Sequence, residues 1–530
     1  MGKYLNPGND RFEEIRRDIY VDKSGLITYM NGLIGKPKPL VCFSRPRRFG
    51  KTFAADMLCA YYDKSCDSRF LFEDLKVADS DSFLTYLNQY NVLSFDVTGF
   101  ITKSGECGTN ILMKMQNALL EDLRQAFPDC LGMEEDSLAD ALYKIVTGGN
   151  AKFVFVIDEW DALFREFKDD TDLQRDYILF LRSLFKNKDI TTKVIAAAYM
   201  TGILPVKKYG TESAVSDFKE FTMESPAKLA EYVGFTESEV RALCKEYHMD
   251  FSEMRTWYDG YSFSKIRHVY SPNFVMNAIQ NEEIRNYWTK TESFEGLKKY
   301  IGINLDGLKD AVIWMLGEQR VAVDTGTFQN DITSFNNKDD VLTLLIHLGY
   351  LAYNQSEGKV YIPNREVAEI FRSSVKGGKW EPVARTIDQA DRLLDATIRG
   401  ECETVADSLE LVHEECSSAL TYHDENSLVC AIYIAYYTAK NYYTIIRELP
   451  TGKGFADYSF IPLPDTDRPA MIIELKYDKD ADTAIKQIHD NRYAGALKGY
   501  SGNLLLVGIN YDKDAKGKRR KKHSCVIERM

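Results

Sequence analysis

Three consecutive residues, Gly50-Lys51-Thr52, have the types that phosphate chemistry needs, and they follow a short apolar stretch at 39–44. At a strand-to-helix junction, backbone N–H groups and the helix N-terminus converge on an anion. The Lys51 ammonium can then reach the β- and γ-phosphates of a nucleotide, while the Thr52 hydroxyl ligates Mg²⁺. The complete motif has a further glycine at the position of Arg45. Because a residue with a Cβ does not adopt positive φ cheaply, we expect the loop to enter by a different turn.

A second motif follows about a hundred residues further on, where the apolar stretch 153–157 ends in Asp158-Glu159. This arrangement is typical of a Walker B element, in which Asp158 would bind the Mg²⁺–water shell and Glu159 would polarise the attacking water. Each motif alone is also compatible with a chance tripeptide in a loop or with a solvated acidic turn. Together they favour a nucleotide site, with Arg47, Arg48 and Phe49 in its loop.

The C-terminal part carries a different constellation, in which Asp457 precedes Glu474 by seventeen positions and Lys476 follows two positions later. On a strand, the period of two places Glu474 and Lys476 on one face. If the two segments pair as a hairpin, Asp457 and Glu474 converge, and two carboxylates that share a site favour a bound Mg²⁺. The Lys476 ammonium can position or deprotonate water, or stabilise the charge that develops at phosphorus. This is the chemistry of phosphodiester cleavage.

A solvated surface pair is the alternative explanation for Glu474 and Lys476, and for these two residues alone it is the more common one. A glycine-bearing approach at 452–455 and Gln487 on the next helix, which could orient the site, favour the catalytic interpretation. The basic segment Lys516–Lys522 predicts either a phosphate-gripping loop or a solvated hairpin tip.

The elements that must position these residues are visible in the apolar pattern. Near-continuous apolar stretches at 39–44, 91–97, 153–157 and 193–198 alternate with helical stretches such as 111–126 and 173–185, which is typical of a parallel sheet covered on both faces. The predicted core of this α/β domain spans about residues 1–225. A mainly helical connector extends to about residue 420. The remaining chain predicts the order helix, three strands, helix and strand, with the second of these helices over 481–497.

Composition and charge limit the class of protein. The 530 residues are 45% apolar and 28% charged, which indicates two to three globular domains and excludes a largely disordered chain. No window approaches the ~20 apolar residues of a membrane span, and the N-terminus lacks the apolar segment of a secretory signal. Ten Cys without a C-x-x-C pair predict reduced thiols in a cytoplasmic protein. The net charge is −12, but residues 425–530 hold 17 Lys and Arg against 13 Asp and Glu.

Four segments together resemble the AAA-ATPase-like family of bacterial and archaeal proteins, namely Tyr20–Ser24, Arg45–Thr52, Phe155–Asp161 and Thr201–Pro205. That family also tends to carry Trp-Tyr-Asp-Gly-Tyr and a Tyr-x-Pro segment, which match Trp257–Tyr261 and Tyr270–Pro272. Arg45 fits the family's own loop variant. The resemblance covers roughly the first 280 residues and implies a P-loop domain that binds ATP.

The predicted order of elements after residue 421 resembles the core of the PD-(D/E)XK nuclease superfamily. It is similar, more narrowly, to the nuclease-like domain often found C-terminal to the AAA-ATPase-like domain. That domain has a Glu-Leu-Lys strand followed by an Ala-x-x-Gln-Ile helix, matched here at 474–476 and 484–488. The resemblance spans about residues 425–512 and implies that Asp457, Glu474 and Lys476 are catalytic, with Gln487 in support. Glu425 could be the helix acid that some members use, or it could simply interact with the dipole of a helix N-terminus.

The predicted organisation is an α/β protein with an AAA-ATPase-like P-loop domain at 1–280, a mainly helical connector at 281–420 and a PD-(D/E)XK nuclease-like domain at 421–530. We expect an ATP- and Mg²⁺-dependent enzyme acting on nucleic acid, with DNA favoured, that makes no membrane contact and could form homo-oligomers. The alternatives are a signalling or scaffold NTPase with an inactive nuclease-like binding module, and an interaction protein without ATP. Five arginines could serve as an arginine finger, namely Arg47, Arg48, Arg165, Arg175 and Arg182.

Overall fold

The computed structural model of the protein divides into two compact units. The first consists of residues Met1–Lys290 and Ala322–Val367, and the second of Thr291–Val321 and Ala368–Met530. The predicted domain boundaries at residues 280 and 420 stay predictions. The structure describes the whole chain except residues 1, 102–108, 133–136, 207, 210–211, 214–216, 233, 264–265, 289–292, 304, 330–334, 376–380, 417–430, 452–453, 464–465, 467, 492–502 and 513–521.

The first unit is built on a five-stranded parallel sheet. Its strands are β1 (Leu40–Ser44), β2 (Asn91–Asp96), β3 (Phe153–Asp158), β4 (Ile195–Gly202) and β5 (Lys219–Phe221). They lie in the order β2-β3-β4-β1-β5, and all neighbours run parallel. Every residue of β1, β3 and β4 is buried, as apolar character on both faces predicts. The parallel sheet is thus confirmed, and the structure adds that β4 separates β1 from β3.

Helices connect these strands. The helix α1 (Lys51–Tyr62) follows β1, and the short helix α2 (Ala162–Glu166) follows β3. The predicted helices at 111–126 and 173–185 are confirmed, each beginning two residues earlier. The other helices of this unit are Asp10–Arg17, Gly25–Asn31, Phe83–Tyr86, Thr109–Ala126, Leu138–Thr147, Thr171–Phe185, Glu237–Glu246, Phe251–Tyr258, Pro272–Gln280 and Lys338–His347. Short antiparallel strand pairs are Lys208–Tyr209 with Glu212–Ser213, Phe235–Thr236 with Val269–Tyr270, and Ala352–Asn354 with Lys359–Tyr361.

The second unit contains a mixed five-stranded sheet. Its strands, in their order across the sheet, are β6 (Tyr443–Thr451), β7 (Gly454–Pro462), β8 (Ala470–Tyr477), β9 (Leu504–Tyr511) and β10 (His523–Arg529). The strands β8 and β9 run parallel, and the other neighbours are antiparallel. Residues 431–435 form a helical turn before β6, and α3 (Ala481–Asp490) lies between β8 and β9 along the chain. The predicted α/β order is confirmed, with β10 as an additional edge strand.

Helices also make up much of the chain between residues 281 and 420, as predicted. Besides Lys338–His347, they are Ser293–Ile301, Leu308–Leu316, Arg365–Ser374, Glu381–Arg399 and Cys402–Cys416. The helix predicted over 481–497 is observed as Ala481–Asp490, with Asn491 at its C-cap, and residues 492–497 of the prediction lie outside the described residues. Among the described residues, no helix combines the length and the apolar character that crossing a bilayer requires.

Gly508 allows α3 to approach the second sheet closely. Register places Gly508 on β9 opposite Glu474 on β8. A Cβ at position 508 would clash with the carbonyl oxygen of Ala481 and would lie 3.0 Å from Cγ1 of Ile485. Because Gln487 lies on the same helix, the missing side chain at 508 helps to set how near Gln487 comes to Glu474.

We expect Gly508→Ala to lower the free energy of unfolding by about 1–3 kcal/mol, because α3 must move outward to admit the methyl group. Thermal unfolding of the purified protein measures the change. Gly132→Ala is the matched control, since a Cβ there meets no atom of the described residues within 4 Å, and it should change stability by less than about 0.5 kcal/mol. An unchanged unfolding midpoint for Gly508→Ala would show that the glycine does not set the position of the helix.

Candidate functional sites

The loop between β1 and α1 departs from the standard phosphate-binding turn. Within residues 45–50, all of which the structure describes, positive φ falls on Arg48 (73°) and Gly50 (79°) and not on Arg45. The first-glycine position therefore needs no left-handed backbone in this chain. The left-handed backbone conformation occurs instead three residues further along the loop, at Arg48.

Arg45 is anchored inside the protein. Its side chain is fully buried, and its guanidinium carbon lies 4.9 Å from the ring centre of Phe43 and 5.6 Å from that of Phe263. Its Nη1 donates to the carbonyl oxygens of Ser44 (2.9 Å) and Phe221 (3.3 Å). Burial lowers the pKa of the guanidinium to about 9. Arg45 thus ties the start of the loop to β1 and to the edge strand β5.

Both nucleotide motifs meet at the carboxyl ends of β1 and β3. Lys51 begins α1, donates from Nζ to the carbonyl oxygen of Pro46 (3.1 Å) and has its Nζ 3.5 Å from Oε1 of Glu159. The Thr52 hydroxyl donates to Oδ2 of Asp158 (2.6 Å). Burial raises the pKa of Asp158 to about 6; the Thr52 hydrogen bond opposes this rise, and the charge of Glu159 adds to it. A hydroxyl and a buried carboxylate in contact are oxygen ligands that fit Mg²⁺.

Side chains from the aromatic segment 257–274 contact the loop. Phe49 is buried and meets Tyr261 edge to face, with ring centroids 5.3 Å apart. The Arg48 carbonyl accepts a hydrogen bond from Oγ of Ser271 (3.4 Å). The Arg48 guanidinium lies 5.9 Å from the ring centre of Phe274. Arg47 is exposed. A segment far along the chain therefore helps to hold the loop, which the spacing of the motif did not indicate.

Two further residues, Asp161 and Arg165, surround Glu159. Nη2 of Arg165 donates to Oε2 of Glu159, and its Nε donates to Oδ2 of Asp161 (3.1 Å). The sequence interpretation gave Asp161 no role and considered Arg165 only as an arginine finger. Their spacing of four residues, typical of an ion pair on a helix, is the signal that could have found them.

In the second unit, β7, β8 and α3 bring the four predicted residues together. Glu474 and Lys476 share one face of β8, with Nζ of Lys476 2.9 Å from Oε1 of Glu474. Nε2 of Gln487, on α3, donates to the same oxygen. Oδ2 of Asp457 accepts a hydrogen bond from the backbone N–H of Leu475 (2.7 Å). The Asp457 carboxylate therefore lies beside β8, at the residue that follows Glu474.

Glu474 lies in surroundings that disfavour a lone negative charge. Its side chain is 2% exposed, and burial raises its pKa to about 7; the charge of Asp457 adds to the rise, and Lys476 opposes it. Both hydrogen-bond donors reach Oε1, whereas Oε2 is buried and accepts a hydrogen bond from none of the described residues. A divalent cation would satisfy this oxygen, so Asp457 and Glu474 fit the role of Mg²⁺ ligands.

Other predicted features of this site lie outside the described residues, namely Glu425, positions 452–453 and positions 516–521. Within the described part of the chain, no three or more His, Cys, Asp or Glu side chains are grouped so as to hold a metal ion. Phe455, two positions before Asp457 on β7, is 60% exposed. The carboxylates that the structure places at this site are therefore the pair Asp457 and Glu474.

We expect Asp158→Asn to raise the stability of the nucleotide-free protein at pH 7, by up to about 3 kcal/mol. The Asp158 pKa of about 6 lies above its ordinary value of 3.8, so ionisation of this carboxyl costs stability above pH 6. The wild type should therefore gain stability as the pH falls from 6 to 4, and the variant should lack that gain. Unfolding midpoints between pH 4 and 7, without Mg²⁺, measure it.

Asp169→Asn is the control for this experiment, because Asp169 is an exposed carboxylate of the same unit. It should follow the wild type at each pH. If the unfolding midpoints of wild type and Asp158→Asn changed with pH to the same extent, ionisation of Asp158 would not lower stability, and the prediction would be wrong.

Two family models match the chain, a predicted AAA-ATPase at residues 7–211 and the PD-(D/E)XK nuclease superfamily at residues 423–521. Among solved structures, a Walker-type ATPase of Pyrococcus abyssi is similar at 14% sequence identity and a TM-score of 0.34, over 67% of this chain and 97% of that chain. No curated protein matches. The chain therefore joins an AAA-ATPase-like domain to a domain of the PD-(D/E)XK nuclease superfamily, as its motifs predicted.

Proposed function

We propose that the protein hydrolyses ATP in its AAA-ATPase-like domain and cleaves nucleic-acid phosphodiester bonds, with DNA as the expected substrate, in its nuclease-superfamily domain. One observation carries both parts of the proposal. Each domain holds a buried carboxyl group of raised pKa, Asp158 or Glu474, close to a lysine, Lys51 or Lys476. Carboxylate and ammonium groups in this arrangement suit phosphate substrates that arrive with a divalent cation.

In the ATPase domain, Lys51 would exchange its contacts with Pro46 and Glu159 for the β- and γ-phosphates. Thr52 and Asp158 would hold Mg²⁺, which supplies charge that neutralises the phosphates. Glu159 would accept the proton of the attacking water through the oxygen that Lys51 has left. Because these groups are largely buried, their electrostatic effects on the transition state are stronger than in water.

In the nuclease-superfamily domain, Asp457 and Glu474 would hold Mg²⁺, whose charge stabilises the phosphodiester during attack by water. Gln487 fixes the orientation of Glu474 by donating to Oε1, which leaves Oε2 for the cation. Lys476 would turn from Glu474 toward a phosphate oxygen and stabilise the negative charge that develops there. The chain's own groups thus supply orientation and charge.

A signalling or scaffold NTPase, whose nuclease-like domain binds a partner without cleaving it, is the second candidate. The direct contacts from Lys476 and Gln487 to Glu474 favour it, because a neutralised carboxylate also suits a purely structural role. This candidate predicts nucleotide binding without strand cleavage.

We expect Asp457→Asn and Glu474→Gln each to lower Mg²⁺-dependent cleavage by about 10- to 100-fold, because each removes a cation ligand while keeping the side-chain shape. Single-turnover cleavage of labelled DNA and RNA, with and without ATP, measures the rates. Asp490→Asn is the matched control, since this acid is exposed at the end of α3. Equal cleavage by wild type and both variants, or none by the wild type, would remove the nuclease proposal.

We expect Lys51→Met to weaken Mg-ATP binding by about 10- to 100-fold, because it removes a charged hydrogen-bond donor and keeps the apolar stem. Calorimetric titration measures the affinity. Lys36→Met, at an exposed position of the same domain, should bind as the wild type does. Absence of binding by the wild type would instead favour an interaction protein that does not use ATP.

A further inference from the structure

Arg165 occupies a buried position next to the predicted catalytic base. It lies on α2, directly after β3, and its side chain is 10% exposed. Its guanidinium contacts two carboxylates, Oε2 of Glu159 through Nη2 and Oδ2 of Asp161 through Nε. A planar guanidinium that meets two acceptors at once is held in one orientation, unlike a lysine ammonium.

The two oxygens of Glu159 have different partners. Oε2 is bound by Arg165, while Oε1 lies 3.5 Å from Nζ of Lys51. Glu159 also has a φ of 50°, a left-handed backbone conformation that an ordinary side chain adopts only when its surroundings impose it. Arg165 therefore fixes Glu159 from the side away from Lys51, and Oε1 stays on the side of the phosphate-binding lysine.

Asp161 fixes Arg165 in turn. It is fully buried, and its Oδ2 accepts the backbone N–H groups of Ile203 (3.2 Å) and Leu204 (2.9 Å) as well as Nε of Arg165. The residue before them is Gly202, where a Cβ would lie only 2.6 Å from Oδ1 of Asp161. The carboxyl end of β4 thus holds Asp161, Asp161 holds Arg165, and Arg165 holds Glu159.

We propose that Arg165 is a positioning residue for ATP hydrolysis, which orients Glu159 so that Oε1 faces the attacking water, with Asp161 as the group that orients Arg165. This inference rests on the proposed ATPase activity. The Arg165 guanidinium acts within its own domain, because the side chain is buried against two carboxylates. It does not extend toward a neighbouring subunit as an arginine finger would. Without Arg165, Glu159 would be free to turn fully onto Lys51.

The test measures kcat for Mg-ATP hydrolysis and, separately, the affinity for Mg-ATP in wild type, Arg165→Gln and Arg165→Lys. We expect both variants to lose about 10- to 100-fold in kcat, because the base is no longer oriented, with a smaller change in affinity. Arg165→Lys keeps the positive charge but cannot contact both carboxylates at once. A low kcat in this variant would therefore show that hydrolysis depends on the orientation of Glu159 and not on the charge at position 165 alone. Arg17→Gln is the control, because Arg17 is an exposed arginine that pairs with Glu13.

A double-mutant cycle shows through which residue Arg165 acts. In a Glu159→Gln background, Arg165→Gln should lower kcat no further, because the group that it orients is already gone. Guanidinium ion added to Arg165→Ala should restore part of the activity if that variant folds. Additive losses in the cycle, or an unchanged kcat in Arg165→Gln, would overturn the role of Arg165 and leave the ATPase proposal standing. Absence of hydrolysis by the wild type, with Mg-ATP still bound, would instead remove the proposed activity and this role with it.

Discussion

The cost of burying a carboxylate charge is the constraint on which both sites depend. Asp158 and Glu474 each belong to a strand of a buried sheet, and the loss of water raises their pKa values to about 6 and about 7. Hydrogen bonds support each ionised form: the Thr52 hydroxyl and the Glu159 backbone N–H donate to Asp158, and Lys476 and Gln487 donate to Glu474. A cation binds well at such a position, because the low polarity that destabilises the lone carboxylate strengthens its attraction to the ion.

Buried neighbours, rather than exposed loops, hold these groups in place. In the first unit, Arg45 joins the loop between β1 and α1 to two strands, and the ring of Tyr261 packs on Phe49. In the second unit, Gly508 lets α3 carry Gln487 close to Glu474. Groups positioned in this way lose little orientation when a substrate arrives, which is the condition for electrostatic stabilisation of a transition state.

The sequence predicted the architecture well where the signal was local. Near-continuous apolar stretches predicted the strands of a parallel sheet, and the motif pair predicted which strand ends carry polar side chains; both the fold class and the two families are confirmed. The spacing of Glu474 and Lys476 predicted a shared face of one strand, and the structure shows their contact. The catalytic roles of these residues stay predictions, because contact geometry alone does not show activity.

What the sequence by itself determined is therefore the set of chemical groups and the faces on which they lie, since periodicity and spacing are local properties of the chain. Only the tertiary structure decided that β4 lies between the two nucleotide motifs and that Asp161 receives two N–H groups from its end. Only the tertiary structure, likewise, buried Arg45 between two aromatic rings. These features depend on which distant segments pack together and on how much water they exclude. The spacing of neighbouring residues determines neither of these.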